Sequence, residues 1–165
     1  MAKFSTFKFG DGTKFGMGTS LSPSISPSTS PGWIGYTRGN YAVLPTDDED
    51  LEVVYSDQDV IDVGSDNNVR VSQSGSKEFI IHEFKEYVDK FSCSIECNLQ
   101  TDLAPTISIV KIQIYNRVTT VWDDVTTNSI AGAGSDFSMT GSIPNLTSYR
   151  DGDNVVSFRV YQEAK

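Results

Sequence analysis

The stretch Cys93-Ser94-Ile95-Glu96-Cys97-Asn98-Leu99 alternates apolar and polar side chains without interruption. Successive side chains of a β-strand point to opposite faces, so this alternation predicts a strand with one buried face. The same pattern recurs in residues 110–114 and 156–160, and turn-forming residues separate the runs. Several short strands spaced in this way predict an all-β chain that folds as an antiparallel, jelly-roll-like β-sandwich.

Three other segments are less regular. Residues 78–91 fit either a helix or a bent strand, and we favour the strand because the segment is rich in aromatic residues and lacks a good N-cap. Ile107 and Ile109 are out of phase with the strand that follows, which predicts a β-bulge near Ile109. The acidic segment 47–66 offers short strand material. Its carboxylates match no EF-hand spacing, so we expect a solvated loop without bound calcium.

Residues 1–32 have a composition unlike the rest of the chain. They contain the tandem repeat Lys-Phe-Gly-Asp-Gly-Thr at 8–13 and Lys-Phe-Gly-Met-Gly-Thr at 14–19. A segment so rich in glycine builds no core alone, but burying each phenylalanine on another subunit would contribute about 1.5–3 kcal/mol. We therefore predict an extended arm along a neighbouring subunit; the alternative is a disordered tail. The candidate assembly anchors are Phe4, Phe7, Phe9 and Phe15.

Prolines punctuate the end of this arm, at Pro23, Pro27 and Pro31. Proline fixes φ and removes a backbone donor, so the Ser/Pro-rich segment is predicted to be an extended spacer. We therefore divide the chain into an arm with its linker, residues 1–32, and one β-sandwich domain, residues 33–165.

The charge of the chain restricts its partners. A net charge of −9 argues against nucleic acid and anionic membranes, because both attract basic surfaces. The sequence also shows no secretory signal and no apolar run long enough to cross a bilayer. We expect a protein that is made in the cytoplasm and has neither nucleic acid nor membrane as a partner.

Few residues suggest catalysis or metal binding. His82 is the only histidine, so a Ser–His–Asp arrangement would have to use it, and the sequence has no nucleophile elbow. Cys93 and Cys97 would lie about 13 Å apart along a strand, too far for a disulfide, and a zinc site would need two further ligands. We expect buried free thiols, no cofactor, no metal and no enzymatic activity.

Three aromatic residues are candidate glycan contacts: Tyr115, Trp122 and Tyr149. They lie on or beside predicted loops, near amide and carboxylate side chains at 116 and 123–124. Sugars stack on aromatic rings and hydrogen-bond at their edges, which is why this combination indicates a binding platform. A core position for Trp122 is an equally good interpretation.

Six motifs of the domain carry a resemblance. They are Leu44–Asp48, Ile81–Lys85, Gln100–Pro105, Gln113–Arg117 with Trp122, Leu146–Tyr149 and Asn154–Gln162. With them, the chain resembles an uncharacterised β-sandwich domain of bacteriophage and metagenomic virion proteins, and its Lys-Phe-Gly repeats resemble those of phage tail and fibre proteins. The resemblance implies a structural or display role in the virion, with copies of itself and other virion proteins as partners, and it supplies no catalytic residues.

The function expected from these observations is non-enzymatic. We expect a structural protein of a bacteriophage virion (tail, fibre or decoration), held to neighbouring subunits by its arm and displaying the sandwich outward. Deletion of residues 1–19 is then expected to leave a folded monomer that no longer joins the particle. Two alternatives stay open: a host-attachment adhesin that binds glycans, and a subunit of an extracellular filament built by donor-strand exchange.

Overall fold

The computed structural model describes residues 2–9, 13–14, 33–64, 69–75 and 79–163. These residues form eleven strands and one helix. In chain order the elements are β1 (Ala2–Phe9), β2 (Thr13–Lys14), β3 (Trp33–Tyr41), β4 (Val53–Val54), α1 (Asp57–Gly64), β5 (Val71–Gln73), β6 (Phe79–Tyr87), β7 (Cys93–Thr101), β8 (Val110–Asn116), β9 (Val121–Asn128), β10 (Asp136–Ile143) and β11 (Val155–Glu163).

The strands form two antiparallel sheets that pack against each other. Sheet A has the order β10-β7-β1-β2, and β5 also pairs with β1. Sheet B has the order β4-β3-β6-β11-β8-β9. The predicted all-β antiparallel sandwich is therefore confirmed.

The main core lies between the two sheets and follows the predicted alternation. In β7 every second residue from Cys93 to Thr101 is buried, and the residues between them are half-buried. Val156, Phe158 and Val160 of β11 belong to the same core cluster as the buried residues of β7. Alternation was readable in these strands because each lies inside its sheet and buries one complete face.

A smaller second cluster lies on the opposite face of sheet B. Leu51 and Ile81 are its buried members, and half-buried aromatic side chains such as Tyr41 and Tyr161 pack on them. The chain between β3 and β4 brings Leu51 to this face. We call residues 42–50 of that connection the strap, because several of its oxygens accept hydrogen bonds from side chains of sheet B.

The fold bears on the expectations for residues 78–91, Ile107 and Ile109. Residues 79–87 form β6, so the strand interpretation is confirmed for that part of 78–91, whereas residues 88–91 lie beyond the strand. The expected bulge near Ile109 is wrong, because Ile109 is exposed and precedes β8. The register irregularity lies instead in β9, where Val125 is an extra residue between the partners of Ile112 and Gln113. Ile107 is out of phase because it too lies exposed in the loop before the strand.

The acidic segment contains a helix that the sequence analysis missed. Ser56 precedes α1 and forms a capping box with Asp59: the Asp59 amide donates to Ser56 Oγ at 3.2 Å, and the Ser56 amide donates to Asp59 Oδ2 at 2.9 Å. Asp57 and Asp59 also lie in the first turn, where negative charge complements the helix dipole. The Ser-x-x-Asp spacing was the signal that could have revealed this helix.

Candidate functional site

The first described strand of the predicted arm lies inside the sandwich. β1 occupies an interior position of sheet A, with β7 on one side and both β2 and β5 on the other. The proposed boundary at residue 32 therefore does not separate β1 from the domain. Residues 15–32, including the candidate anchor Phe15, lie outside the described residues.

The three described anchor positions share one feature of register. Phe4 lies opposite Leu99, Phe7 opposite Cys97, and Phe9 opposite Ile95. A bulge at Ser5 makes this possible, because a spacing of three between the first two phenylalanines would otherwise place them on opposite faces.

The β7 residues opposite these three positions are buried core residues. Ile95, Cys97 and Leu99 are each at most 1% exposed and belong to the main core. Directly opposed residues of an antiparallel pair share a face of the sheet. The anchor positions of β1 therefore lie on the core-facing side of sheet A, while Lys3, Thr6 and Lys8 lie opposite the outward positions of β7.

This placement changes one expectation. Without residues 1–19, the chain would lose the middle strand of sheet A, and the β7 edge would lose its hydrogen-bonding partner. The expected folded monomer after this deletion therefore conflicts with the strand pairing, since the deletion removes part of the sandwich itself.

The candidate glycan contacts lie on sheet B, close to the strap. Tyr115 and Trp122 are register partners on β8 and β9, and their rings meet edge to face with centroids 5.2 Å apart. The Arg159 guanidinium lies 4.2 Å from the centroid of the Trp122 ring, and the indole Nε1 donates to the Asp47 carbonyl at 2.9 Å. Tyr115 is 8% exposed.

Tyr149 occupies a different position. It is half-buried and packs against the main core, and its hydroxyl donates to Asp123 Oδ2 at 3.1 Å. Burial, and then the hydrogen bond to Asp123, raise the pKa of Tyr149. The three aromatic residues thus have contacts within the fold, and glycan contact by any of them stays a prediction.

Arg159 lies within a polar network around the strap. Its Nε and Nη2 both donate to Gln113 Oε1, at 2.8 and 2.7 Å, and its Nη1 donates to the Pro45 carbonyl at 2.6 Å. Burial lowers the pKa of Arg159 to about 10. Gln113 in turn donates to Asp124, so the strap is linked through Arg159 to β8 and β9.

The strap residue Asp48 joins the same network. Its Oδ2 accepts from Ser157 Oγ at 2.7 Å and lies 2.7 Å from Arg117 Nη2. Lys85 donates to the Asp48 carbonyl and forms an ion pair with Asp50 at 2.6 Å. The sequence analysis missed this network because its partners are far apart in the chain: Asp48 and Ser157 are separated by 109 residues.

Glu83 lies among these groups and is almost completely buried. Its side chain is 2% exposed, and its Oε1 lies 3.5 Å from Lys85 Nζ, which is longer than a good hydrogen bond. Burial raises the pKa of Glu83 from its ordinary value of 4.5 to about 8, partly opposed by the charge of Lys85. The carboxyl therefore holds a proton in the folded protein at neutral pH.

The histidine and the two cysteines of the chain are buried. His82 is 0% exposed between the sheets, where the Tyr55 hydroxyl hydrogen-bonds its Nδ1, and burial lowers its pKa. Cys93 and Cys97 are free and buried, as predicted. Burial raises the pKa of Cys93 to about 12 and that of Cys97 well above its ordinary value, so neither thiol is poised to react.

The described residues present neither a metal-ligand cluster nor a membrane-spanning helix. Across the described ranges, no group of three or more His, Cys, Asp or Glu side chains is arranged to hold a metal ion. Within the same part of the chain, no helix has the length and apolar character needed to cross a bilayer.

Comparison with known proteins gave no relative. No protein-family model, curated protein or solved structure matches the chain. The resemblance to virion β-sandwich domains therefore stays a prediction, and the functional argument depends on the geometry described above.

Proposed function

We propose that this protein is a non-enzymatic structural subunit of a bacteriophage virion, in its tail, a fibre or a decoration layer. The segment that contains β1 holds it to neighbouring subunits, and the rest of the sandwich is displayed outward. The proposal of a virion depends on the sequence resemblance, whereas the proposal of an assembly role also has support from the fold.

One observation carries the assembly role. Phe4, Phe7 and Phe9 lie in register opposite three core residues of β7, although the Ser/Pro-rich linker follows them closely in sequence. Strand addition combines two sources of affinity: backbone hydrogen bonds along the strand, and side chains at alternate positions that enter a core. β1 has the register that this kind of attachment requires.

The buried state of the reactive groups supports a role without catalysis. A general base must come within hydrogen-bond distance of its substrate, and His82 lies at 0% exposure between the two sheets. The thiols of Cys93 and Cys97 are buried as well, with raised pKa values that disfavour the nucleophilic thiolate.

The test is the molar mass of the full-length chain, measured by light scattering over a range of concentrations and followed by electron microscopy. We expect closed oligomers or filaments. Thr6→Pro removes a backbone donor in the middle of β1 and should abolish assembly, whereas Thr6→Val keeps the donor and should assemble. A full-length chain that stays monomeric at every concentration would contradict the proposal, as would assembly that Thr6→Pro leaves intact.

A further inference from the structure

We propose that in the assembled protein β1 of each copy completes sheet A of a neighbouring copy instead of its own. The partner is a second copy of this chain, and the surface that receives the strand is the β7 edge together with β5. This inference builds on the proposed assembly function and names the partner and the site of attachment.

β1 lies in the interior of sheet A. It pairs with β7 from Ala2↔Thr101 to Phe9↔Ile95, and with β5 and β2 on its other side. Taking β1 away would leave β7 paired only with β10 and would divide the rest of sheet A. The sandwich is therefore incomplete until a strand with this register fills the gap.

A long segment of chain connects β2 to β3. Eighteen residues, 15–32, separate β2 from β3, and three of them are prolines spaced by four. Proline-rich segments favour the polyproline II conformation, which extends about 3.1 Å per residue, so eighteen residues reach about 56 Å. A nine-residue strand such as β7 spans only about 30 Å. A connection with this reach is long enough for β1 to lie on a neighbouring copy as well as on its own chain.

Exchange between copies leaves the pairing of β1 with β7 unchanged. A strand donated by a neighbour forms the same register pairs with β7 as the chain's own strand, so exchange loses no hydrogen bond and no core contact. The balance then depends on the connection and on the local concentration of copies. In an assembly that holds many copies side by side, the local concentration of neighbouring β7 edges favours the exchanged arrangement.

The experiment uses the register to report which chain supplies the strand. Lys8 lies opposite Glu96, and opposed residues have Cα atoms about 4.5–5.5 Å apart, within the range that a disulfide spans. Lys8→Cys and Glu96→Cys are made in separate full-length chains, one with a size tag, which are co-expressed and then oxidised. A disulfide between them forms at this register only when β1 of one chain lies on β7 of the other.

A matched control comes from the other side of β7. Thr140 of β10 is the second register partner of Glu96, so it lies two strands away from Lys8 and beyond disulfide distance. The Lys8→Cys chain mixed with a Thr140→Cys chain should therefore give no heterodimer. The buried thiols of Cys93 and Cys97 are kept, because their low thiolate content makes them slow to oxidise.

We expect the covalent heterodimer in the first mixture and its loss in the control mixture. The double variant Lys8→Cys/Glu96→Cys should then form disulfides between chains. If it forms only an intrachain disulfide, and the mixture gives no heterodimer, exchange is refuted, while assembly in the light-scattering experiment would leave the proposed function standing. No disulfide in any variant would refute the register itself, and with it the inference.

Discussion

The buried carboxyl of Glu83 makes a quantitative prediction about pH and stability. Glu83 is 2% exposed, and its folded-state pKa is raised from 4.5 to about 8, chiefly by burial. Between these pH values the folded chain keeps the proton on Glu83 and the unfolded chain loses it. The stabilisation linked to the proton is thus fully present below pH 4.5 and is lost as pH rises towards about 8.

The magnitude follows from the interval between the two pKa values. At about 1.4 kcal/mol per pH unit, the interval gives an upper limit of about 5 kcal/mol lost between pH 4.5 and pH 8. Glu83→Gln is neutral at every pH and has nearly the same shape as the protonated acid. We therefore expect the variant to gain at least about 2 kcal/mol relative to wild type between pH 5 and pH 8.5.

The assay is urea denaturation at a series of pH values, followed by tryptophan fluorescence. Glu86 also has a pKa raised to about 8 by burial, but it is present in both proteins and gives both the same additional slope. Glu52→Gln, at an exposed position beside β4, is the matched control for removing one carboxyl group. Parallel stability profiles for wild type and Glu83→Gln would refute the reasoning.

Three further substitutions test the strap, the sheet edge and the helix, each by urea denaturation. Arg159→Ala should lower the free energy of unfolding by about 3 kcal/mol, because it leaves Gln113 Oε1 and a strap carbonyl unpaired. Lys111→Ala, in a more exposed ion pair, should lower it by under about 1 kcal/mol. Equal losses of stability in the two variants would contradict this reasoning. Gly141→Ala would place a methyl group 2.3 Å from Val125 Cγ1, costing about 1–3 kcal/mol, whereas Gly152→Ala meets no atom within 4 Å; equal losses would argue against a close approach of β9 and β10. Ser56→Ala should lower the free energy of unfolding by about 1 kcal/mol, because α1 loses its N-cap. Ser56→Asp should keep most of the stability that the cap provides.

The sequence predicted those parts of the fold that depend on local periodicity. β7, β8 and β11 were visible because apolar side chains occupy their core-facing positions and mainly polar side chains the positions between, which gives a period of two in residue type. The helix α1 was missed because its apolar residues are few, although Ser56 and Asp59 mark its start. Side-chain contacts between distant segments left no such trace: nothing in the local pattern of Asp48 indicates that it meets Arg117 and Ser157.

The candidate site was predicted unevenly for a related reason. Tyr115, Trp122 and Tyr149 were recognised as candidate contacts, but Trp122 has as partners the strap carbonyl of Asp47 and the guanidinium of Arg159, which only the folded chain brings together. Residue type alone therefore does not distinguish an open aromatic platform from one that the fold already occupies. The difference lies in long-range hydrogen bonds.

The phenylalanine spacing of β1 shows how a strand can be hidden in a sequence. Phe4 and Phe7 break the period of two, so the segment is readily interpreted as an irregular arm, and only the bulge at Ser5 restores the register. A bulge exists only relative to a partner strand, here β7, and so it cannot be seen in β1 alone. β7 presents the same edge to any copy of β1. The proposed assembly by strand exchange would consequently need no docking motif beyond the register pairs that β1 and β7 form within a single chain.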